Sequence, residues 1–149
     1  MKKLFLILSV FLLLMVCACK NRNEQRTRSF SEEHLKIAMT NGERVYRTHC
    51  MACHLTDGSG KIGLYPPLTD NETVSGDTEK LVTIILQGMS GAIVVKGVEY
   101  NQVMIPHNFL TNTETADLLT YLRNSFGNHG AIIHKDEVEH IRNKLIGVN

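Results

Sequence analysis

Apolar residues recur at helical spacing in four stretches of the chain, with polar residues between them. Because positions three and four apart share one helix face, this pattern predicts helices over about Phe30–His49, Asp77–Gln87, Thr113–Phe126 and Asp136–Ile146. The apolar positions on these faces are, in chain order, Leu35, Ala38, Met39, Gly42, Val45 and Tyr46, then Leu81, Ile84 and Ile85, then Leu118, Leu122 and Phe126, then Val138, Ile141 and Leu145.

Polar and glycine residues mark where these helices begin and end. Thr111 and Glu114 have the spacing of a capping box, as do Ser29 and Glu32. Between the first two helices, residues Leu55–Asn71 are rich in Gly, Pro, Asp and Thr and are predicted to form a loop.

A short hairpin is predicted between the second and third helices. Residues Ala92–Tyr100 contain two short apolar runs on either side of Lys96-Gly97. The fold class expected from the whole pattern is all-α, with about four to five helices and this one β-hairpin.

The N-terminal stretch has the layout of an export signal. Lys2 and Lys3 precede a nearly continuous apolar run over Leu4–Val16, and Cys17-Ala18-Cys19 follows. The apolar run is shorter than the about 20 residues that a membrane-spanning helix needs.

The segment Val16-Cys17-Ala18-Cys19 resembles a bacterial lipobox. That resemblance implies a signal peptide over residues 1–18, cleavage before Cys19, and a lipid on the Cys19 thiol. Cys17 fits less well, because Val16 would stand where a small residue is expected. Residues 19–29 then form a flexible polar tether, and residues 30–149 form the domain. The alternative is an ordinary signal with two incidental cysteines.

Composition and charge narrow the possible partners. The chain has 16 basic and 15 acidic side chains, and two of the basic ones lie in the predicted signal. A chain so close to neutral does not have the basic face that a nucleic-acid partner requires. It also contains no tryptophan and few aromatic residues, so a buried cofactor would enlarge a modest core.

Cys50-Met51-Ala52-Cys53-His54 is a C-x-x-C-H sequence, which is the attachment signature of c-type haem. Cys50 and Cys53 stand at the end of a helix at the spacing that lets each bond one vinyl group of the porphyrin. His54 then presents its imidazole to the iron. One covalent haem c with its iron is therefore the predicted cofactor.

Other uses of paired cysteines are weighed against this prediction. A zinc site needs four nitrogen or sulfur ligands, and no second pair follows at short spacing. A thioredoxin-type site needs a strand-helix-strand context, whereas this motif ends a helix and enters a loop. A plain disulfide remains an alternative in an oxidising compartment.

The second axial position of the iron is expected to be filled by a methionine. Met104 is favoured over Met89, because Pro106 stiffens the extended backbone around Met104. His107 is the main rival and would give bis-histidine ligation; otherwise it is interpreted as a solvent-exposed loop residue. The remaining histidines are interpreted as surface residues: His34, His49, His129, His134 and His140.

With the motif and helices in place, the chain resembles class I cytochromes c over about Glu32–Asn128. In that family a small and then an aromatic residue, matched here by Gly42 and Tyr46, precede the haem motif. A later helix supplies an aliphatic-x-x-aromatic pair, matched by Leu118 and Tyr121. The resemblance implies that the first helix crosses this later helix, and that the helix after Asn128 is an addition.

The resemblance also implies roles for two further segments. The family has a Pro-x-Leu after the haem motif, matched by Pro66-Pro67-Leu68, and the Pro66 carbonyl would accept a hydrogen bond from the proximal histidine. The stretch Tyr100–Met104 is similar to a subgroup with a hairpin before the ligand, although Ile105 here separates the methionine from the proline. Some members of that subgroup stand alone, and others are domains of respiratory oxidases, nitrite reductases or alcohol dehydrogenases.

These observations predict an electron carrier rather than an enzyme. It is expected to shuttle single electrons between respiratory redox partners while anchored by lipid to the bacterial cell envelope, facing the periplasm or the cell exterior. The alternatives are a haem enzyme or gas-binding sensor with an open iron site, and a subunit whose haem only relays electrons within a fixed complex.

The lipid anchor is tested by the substitution Cys19→Ser. We expect this variant to leave the membrane fraction and to lose incorporation of labelled fatty acid, because the acylated thiol is gone. Cys17→Ser is the matched control and is expected to stay membrane-bound. Acylation that persists in Cys19→Ser and disappears in Cys17→Ser would assign the lipid to Cys17.

Overall fold

The structure, a computed structural model, describes residues 30–147. The predictions for residues 1–29, including Cys17, Cys19 and the Ser29 cap, lie outside the described residues. By its internal contacts the chain divides into two units, Met1–Lys36 and Ile37–Asn149, and the packing described below belongs to the second. In residues 30–147, no helix combines the length and apolar character that crossing a membrane requires.

The described residues form six helices and one two-stranded antiparallel sheet, which confirms the all-α class with a hairpin. Four of the six helices are the longer ones predicted from the sequence, and the other two are single turns, which are too short to show a hydrophobic period. The elements are α1 (30–49), α2 (Met51–His54), α3 (Glu72–Ser75), α4 (Thr78–Gln87), β1 (Ile93–Val95), β2 (Val98–Tyr100), α5 (Asn112–Arg123) and α6 (Lys135–Leu145).

Side-chain caps determine where α4 and α5 begin. The Asp77 carboxylate accepts a hydrogen bond from the Lys80 amide at the start of α4. At the start of α5, Thr111 accepts from the Glu114 amide while the Glu114 carboxylate accepts from the Thr111 amide, which confirms the predicted capping box.

Helix α5 ends at Arg123, three residues before the predicted end at Phe126. The Asn124 amide bonds the Tyr121 carbonyl in a tighter turn, and Phe126 takes a left-handed conformation with φ of 59°. This conformation is stabilised by ring packing, since the Phe126 ring lies 5.2 Å from that of Tyr46 and 5.6 Å from that of Tyr121. Tertiary packing therefore overrides a helical pattern here.

Helices α1, α4, α5 and α6 contribute to one buried apolar cluster. Leu118 and Leu119 of α5 are fully buried at its centre, and Val138 and Ile141 of α6 close it on another side. The added helix α6 packs against both α4 and α5. It is therefore an integral part of the core.

Helices α1 and α5 are in close contact at Gly42. A Cβ atom at this position would overlap the carbonyl oxygen of Asp117 and the Cβ of Tyr121. One turn later the Tyr46 ring packs against Tyr121 with ring centres 5.6 Å apart. The Asn41 amide also donates to the Asp117 carboxylate at 3.0 Å. The helix crossing expected from the class I resemblance is present in the structure.

The substitution Gly42→Ala tests this contact. Helix propensity alone predicts stabilisation by about 1 kcal/mol. We expect instead a loss of about 1–3 kcal/mol in the free energy of unfolding, because the new methyl group overlaps backbone atoms of α5. Urea unfolding of the haem-loaded protein measures the effect, with the exposed substitution Arg47→Ala as control. A more stable Gly42→Ala variant would contradict the close crossing.

Candidate functional site

Helix α2 places the two cysteines and the histidine of the motif on one helical turn. The Cys50 amide donates to the Tyr46 carbonyl at 2.8 Å, so the turn begins directly from the end of α1. The His54 amide donates to the Cys50 carbonyl at 2.9 Å. Leu55 then takes φ of 63°, which reverses the chain immediately after His54.

Tyr46 holds this reversal in place. Its buried hydroxyl donates to the Leu55 carbonyl at 2.5 Å, next to His54 in the chain. Burial, together with the nearby Cys50 thiol, raises the pKa of Tyr46 well above its ordinary value, so the hydroxyl keeps the proton that it donates. The aromatic residue expected from the class I resemblance thus supports the haem motif directly.

The His54 imidazole is oriented by a main-chain carbonyl. Its Nδ1 atom lies 3.1 Å from the carbonyl oxygen of Pro66. Because a carbonyl can only accept, Nδ1 carries the proton and Nε2 keeps a free lone pair. Burial lowers the pKa of His54, and the Pro66 hydrogen bond opposes this while His107 reinforces it. The neutral imidazole is the form that binds a metal.

The loop that carries Pro66 is held by a pair of buried asparagines, Asn71 and Asn128. The side-chain nitrogen of Asn128 donates to the main-chain carbonyls of Leu68 and Leu122. Its side-chain oxygen accepts a hydrogen bond from the main-chain amide of Asn71 at 2.8 Å. Asn71 also caps α3. Sequence reasoning missed this network, although Asn before Glu-Thr is a recognisable helix N-cap pattern.

A cavity of about 350 Å³ brings the predicted cofactor residues together. Its wall contains the two cysteines and the histidine of the motif, the Pro66 loop, the inner face of α4 and the segment after the hairpin. Five predicted site residues line this one space: Cys50, Cys53, His54, Pro66 and Met104.

The cavity lining is mostly apolar and, among the described residues, contains no carboxylate, lysine or arginine side chain. Burial, and then the neighbouring Cys53, raise the pKa of the Cys50 thiol to about 12, so it stays protonated at neutral pH. Such a space suits a flat apolar group held by neutral ligands and contains no pair of carboxylates for acid-base work.

Met89 and Met104 face each other across a pair of main-chain hydrogen bonds. The amide of each donates to the carbonyl of the other, at 3.0 and 2.9 Å, and both residues line the cavity. The bridge depends on Gly88, which ends α4 with φ of 73°; a Cβ there would overlap the backbone of residues 104–106. Both candidate distal ligands are therefore held at one place.

His107 is buried, so its interpretation as a solvent-exposed loop residue is wrong. Only 7% of it is exposed, because its amide is bonded to the Ile85 carbonyl of α4 and its ring lies near those of His49 and Phe109. Its Nδ1 is buried without a hydrogen-bond partner and the residue lines the cavity. The five histidines interpreted as surface residues are exposed, although His49 also touches the cavity rim.

The residues present fit the predicted haem. The cavity wall holds two sulfurs for thioether bonds, a neutral imidazole with a free Nε2, and two thioethers in reach of the same space. Within residues 30–147, no cluster of three or more His, Cys, Asp or Glu side chains could hold a free metal ion, as a zinc site requires.

Comparison with known proteins identifies the family. The family model described as "Cytochrome c" matches residues 39–126. Cytochrome c-552 of Thermus thermophilus is 33% identical over 97 residues, which cover 62% of this chain and 65% of that protein. The chain thus spans slightly less than two thirds of this relative.

Two further relatives are parts of larger enzymes. The cytochrome c subunit of the quinone alcohol dehydrogenase of Gluconobacter oxydans is 31% identical over 91 residues, or 59% of this chain and 19% of the subunit. The cytochrome subunit of fructose dehydrogenase of Gluconobacter japonicus is 28% identical over 131 residues, or 82% of this chain and 25% of the subunit.

Proposed function

The chain belongs to the cytochrome c family of electron-transfer proteins, and we propose that it carries single electrons between respiratory redox partners at the outer side of a bacterial membrane. The observation that carries this proposal is the single apolar cavity lined at once by Cys50, Cys53, His54 and Met104. No other group of residues in the described chain combines two thiols, an imidazole and a thioether.

The family carries one covalently bound haem c with its iron, and Cys50 and Cys53 are the residues that would attach it here. When bound, this group supplies the one-electron ferric/ferrous couple. His54 Nε2 is the proposed proximal ligand, and Pro66 holds the ring through Nδ1. None of the described residues that line the cavity is Asp, Glu, Lys or Arg, so it holds no pair of carboxylates for acid-base work on a substrate.

We propose Met104 as the distal ligand, with Met89 and His107, which line the same cavity, as the alternatives. Met104 packs against the buried core, and its backbone is restrained on both sides by the bridge to Met89 and by the His107 amide bonded to Ile85. A restrained thioether loses less conformational entropy on binding the metal. Histidine and methionine ligation would raise the reduction potential, as electron carriers require.

The proposed docking surface is the apolar rim of the cavity. Val103 and Ile105 line the cavity while 63% and 65% exposed, and exposed Phe109 packs against His49 beside them. Exposed apolar residues gathered at a cofactor edge are the type of surface that a redox partner contacts briefly, over less than about 1,200 Å². A membrane oxidase, a reductase or a dehydrogenase complex is the expected class of partner.

The lipid on Cys19 and the outward-facing location complete the proposal. A lipid-anchored carrier diffuses in the plane of the membrane, which raises its effective concentration near membrane-bound partners. The polar tether over residues 19–29 would let the domain reach them. Support for this part comes from the order of charged, apolar and cysteine residues at the N-terminus.

The cofactor is tested by expressing the chain with its signal and the haem-attachment machinery. We expect a coloured protein that keeps its haem after denaturation, with a pyridine haemochrome spectrum typical of two thioether bonds. Cys53→Ala should give the spectrum of one thioether, and Met51→Ala, between the cysteines, should not change it. A colourless product with free or disulfide-linked thiols would refute the proposal.

The distal ligand is tested by Met104→Ala, with Met89→Ala as the matched control across the bridge. We expect Met104→Ala to lose the far-red absorption band of a thioether-ligated ferric haem, to bind carbon monoxide when reduced, and to show a lower reduction potential. Met89→Ala should keep all three properties. The reverse pattern would assign Met89, and carbon monoxide binding by the unaltered protein would indicate an open-site haem enzyme or gas sensor.

A further inference from the structure

Arg142 of helix α6 binds the backbone of the segment that follows Met104. Its Nε donates to the Asn112 side-chain oxygen at 2.7 Å, Nη1 to the Asn108 carbonyl at 3.0 Å, and Nη2 to the Leu110 carbonyl at 2.7 Å. All three acceptors are uncharged and lie within five consecutive residues. The planar guanidinium therefore donates hydrogen bonds to one short stretch of chain rather than pairing with a carboxylate. We call these three hydrogen bonds from Arg142 to residues 108–112 the clasp.

Helix α6 lies beyond residues 39–126, which are the residues that the family model matches, and it is packed into the core. Its buried Val138 and Ile141 pack in the core against α4 and α5. Lys144, two residues after Arg142, pairs instead with Glu79 of α4. Of these two cations of α6, only Arg142 binds residues 108–112. The helix that carries it is packed into the core.

The same segment is held at its other end by α4. The Met104 backbone pairs with Met89 just after α4, and the His107 amide donates to the Ile85 carbonyl at 2.8 Å. Residues 104–112 are therefore tied to α4 at their start and to α6 at their end. The proposed ligand Met104 itself makes the first of these ties, and the exposed Phe109 of the docking rim lies between Asn108 and Leu110, which Arg142 binds.

We propose that Arg142 is a positioning residue that keeps the Met104 thioether at the iron by restraining residues 104–112. The inference rests on the proposed ligation by Met104. A segment tied at both ends has less conformational entropy to lose when its thioether binds, so its effective concentration at the metal is high. Releasing one end lowers that concentration, and an external ligand then displaces the thioether more readily.

The test measures how easily imidazole replaces the thioether in the ferric, haem-loaded protein. We expect Arg142→Gln to bind imidazole about tenfold more tightly, equivalent to about 1.4 kcal/mol, and to lose the far-red thioether band at a pH about one unit lower. Lys144→Gln removes the same charge from the same helix and is expected to match the unaltered protein. Urea unfolding is measured in parallel for each variant.

Arg142→Lys keeps the charge but cannot serve three acceptors at once, so we expect an intermediate imidazole affinity. If Arg142→Gln does not fold, the imidazole affinity of Arg142→Lys tests the proposal in its place. Full recovery in Arg142→Lys, or an equal effect in Lys144→Gln, would show that charge alone acts and would overturn the clasp. A loss of unfolding free energy without any change in imidazole affinity would likewise overturn it.

Failure of this inference is separable from failure of the proposed function. If the unaltered protein has no thioether band, Met104 ligation is wrong and the clasp has no ligand to position. If that band is present and Arg142→Gln binds imidazole as the unaltered protein does, the ligation stands and the positioning role of Arg142 is refuted.

Discussion

The close crossing of α1 and α5 at Gly42 is the constraint on which the site depends. Because a Cβ atom would overlap the Asp117 carbonyl, only glycine lets the two backbones approach this closely. At this crossing the Tyr46 ring packs against Tyr121, and the Tyr46 hydroxyl donates a hydrogen bond to the Leu55 carbonyl. The turn that carries the two cysteines and His54 is thus joined directly to this helix crossing.

Two sets of hydrogen bonds hold two parts of the cavity wall. On one wall, hydrogen bonds from Asn128 hold the loop whose Pro66 carbonyl orients His54. On the other, the bridge between Met89 and Met104, permitted by Gly88, holds the thioethers. Among the described residues, neither wall contributes Asp, Glu, Lys or Arg, and in this family the redox chemistry is that of the haem.

Local features of this fold could be predicted from the residues themselves, whereas long-range features were either expected from the class I resemblance or missed. The Thr111–Glu114 capping box and the hairpin turn at Lys96-Gly97 involve near neighbours, and both formed as expected. The early end of α5 and the burial of His107 depend on partners far along the chain. The clasp made by Arg142 had no sequence signal, because an arginine on a polar helix face is ordinarily a solvated surface residue.

The sequence by itself determined the four longer helices and the chemical type of the site, since periodicity and the C-x-x-C-H spacing act within a few residues of each other. Only the tertiary structure decided which residues share the cavity and how they are held. Pro66 lies 12 residues from His54, and Met104 lies 50 residues from it, yet all three line one space. Such contacts depend on how helices pack and where loops are tied, and no local spacing encodes them.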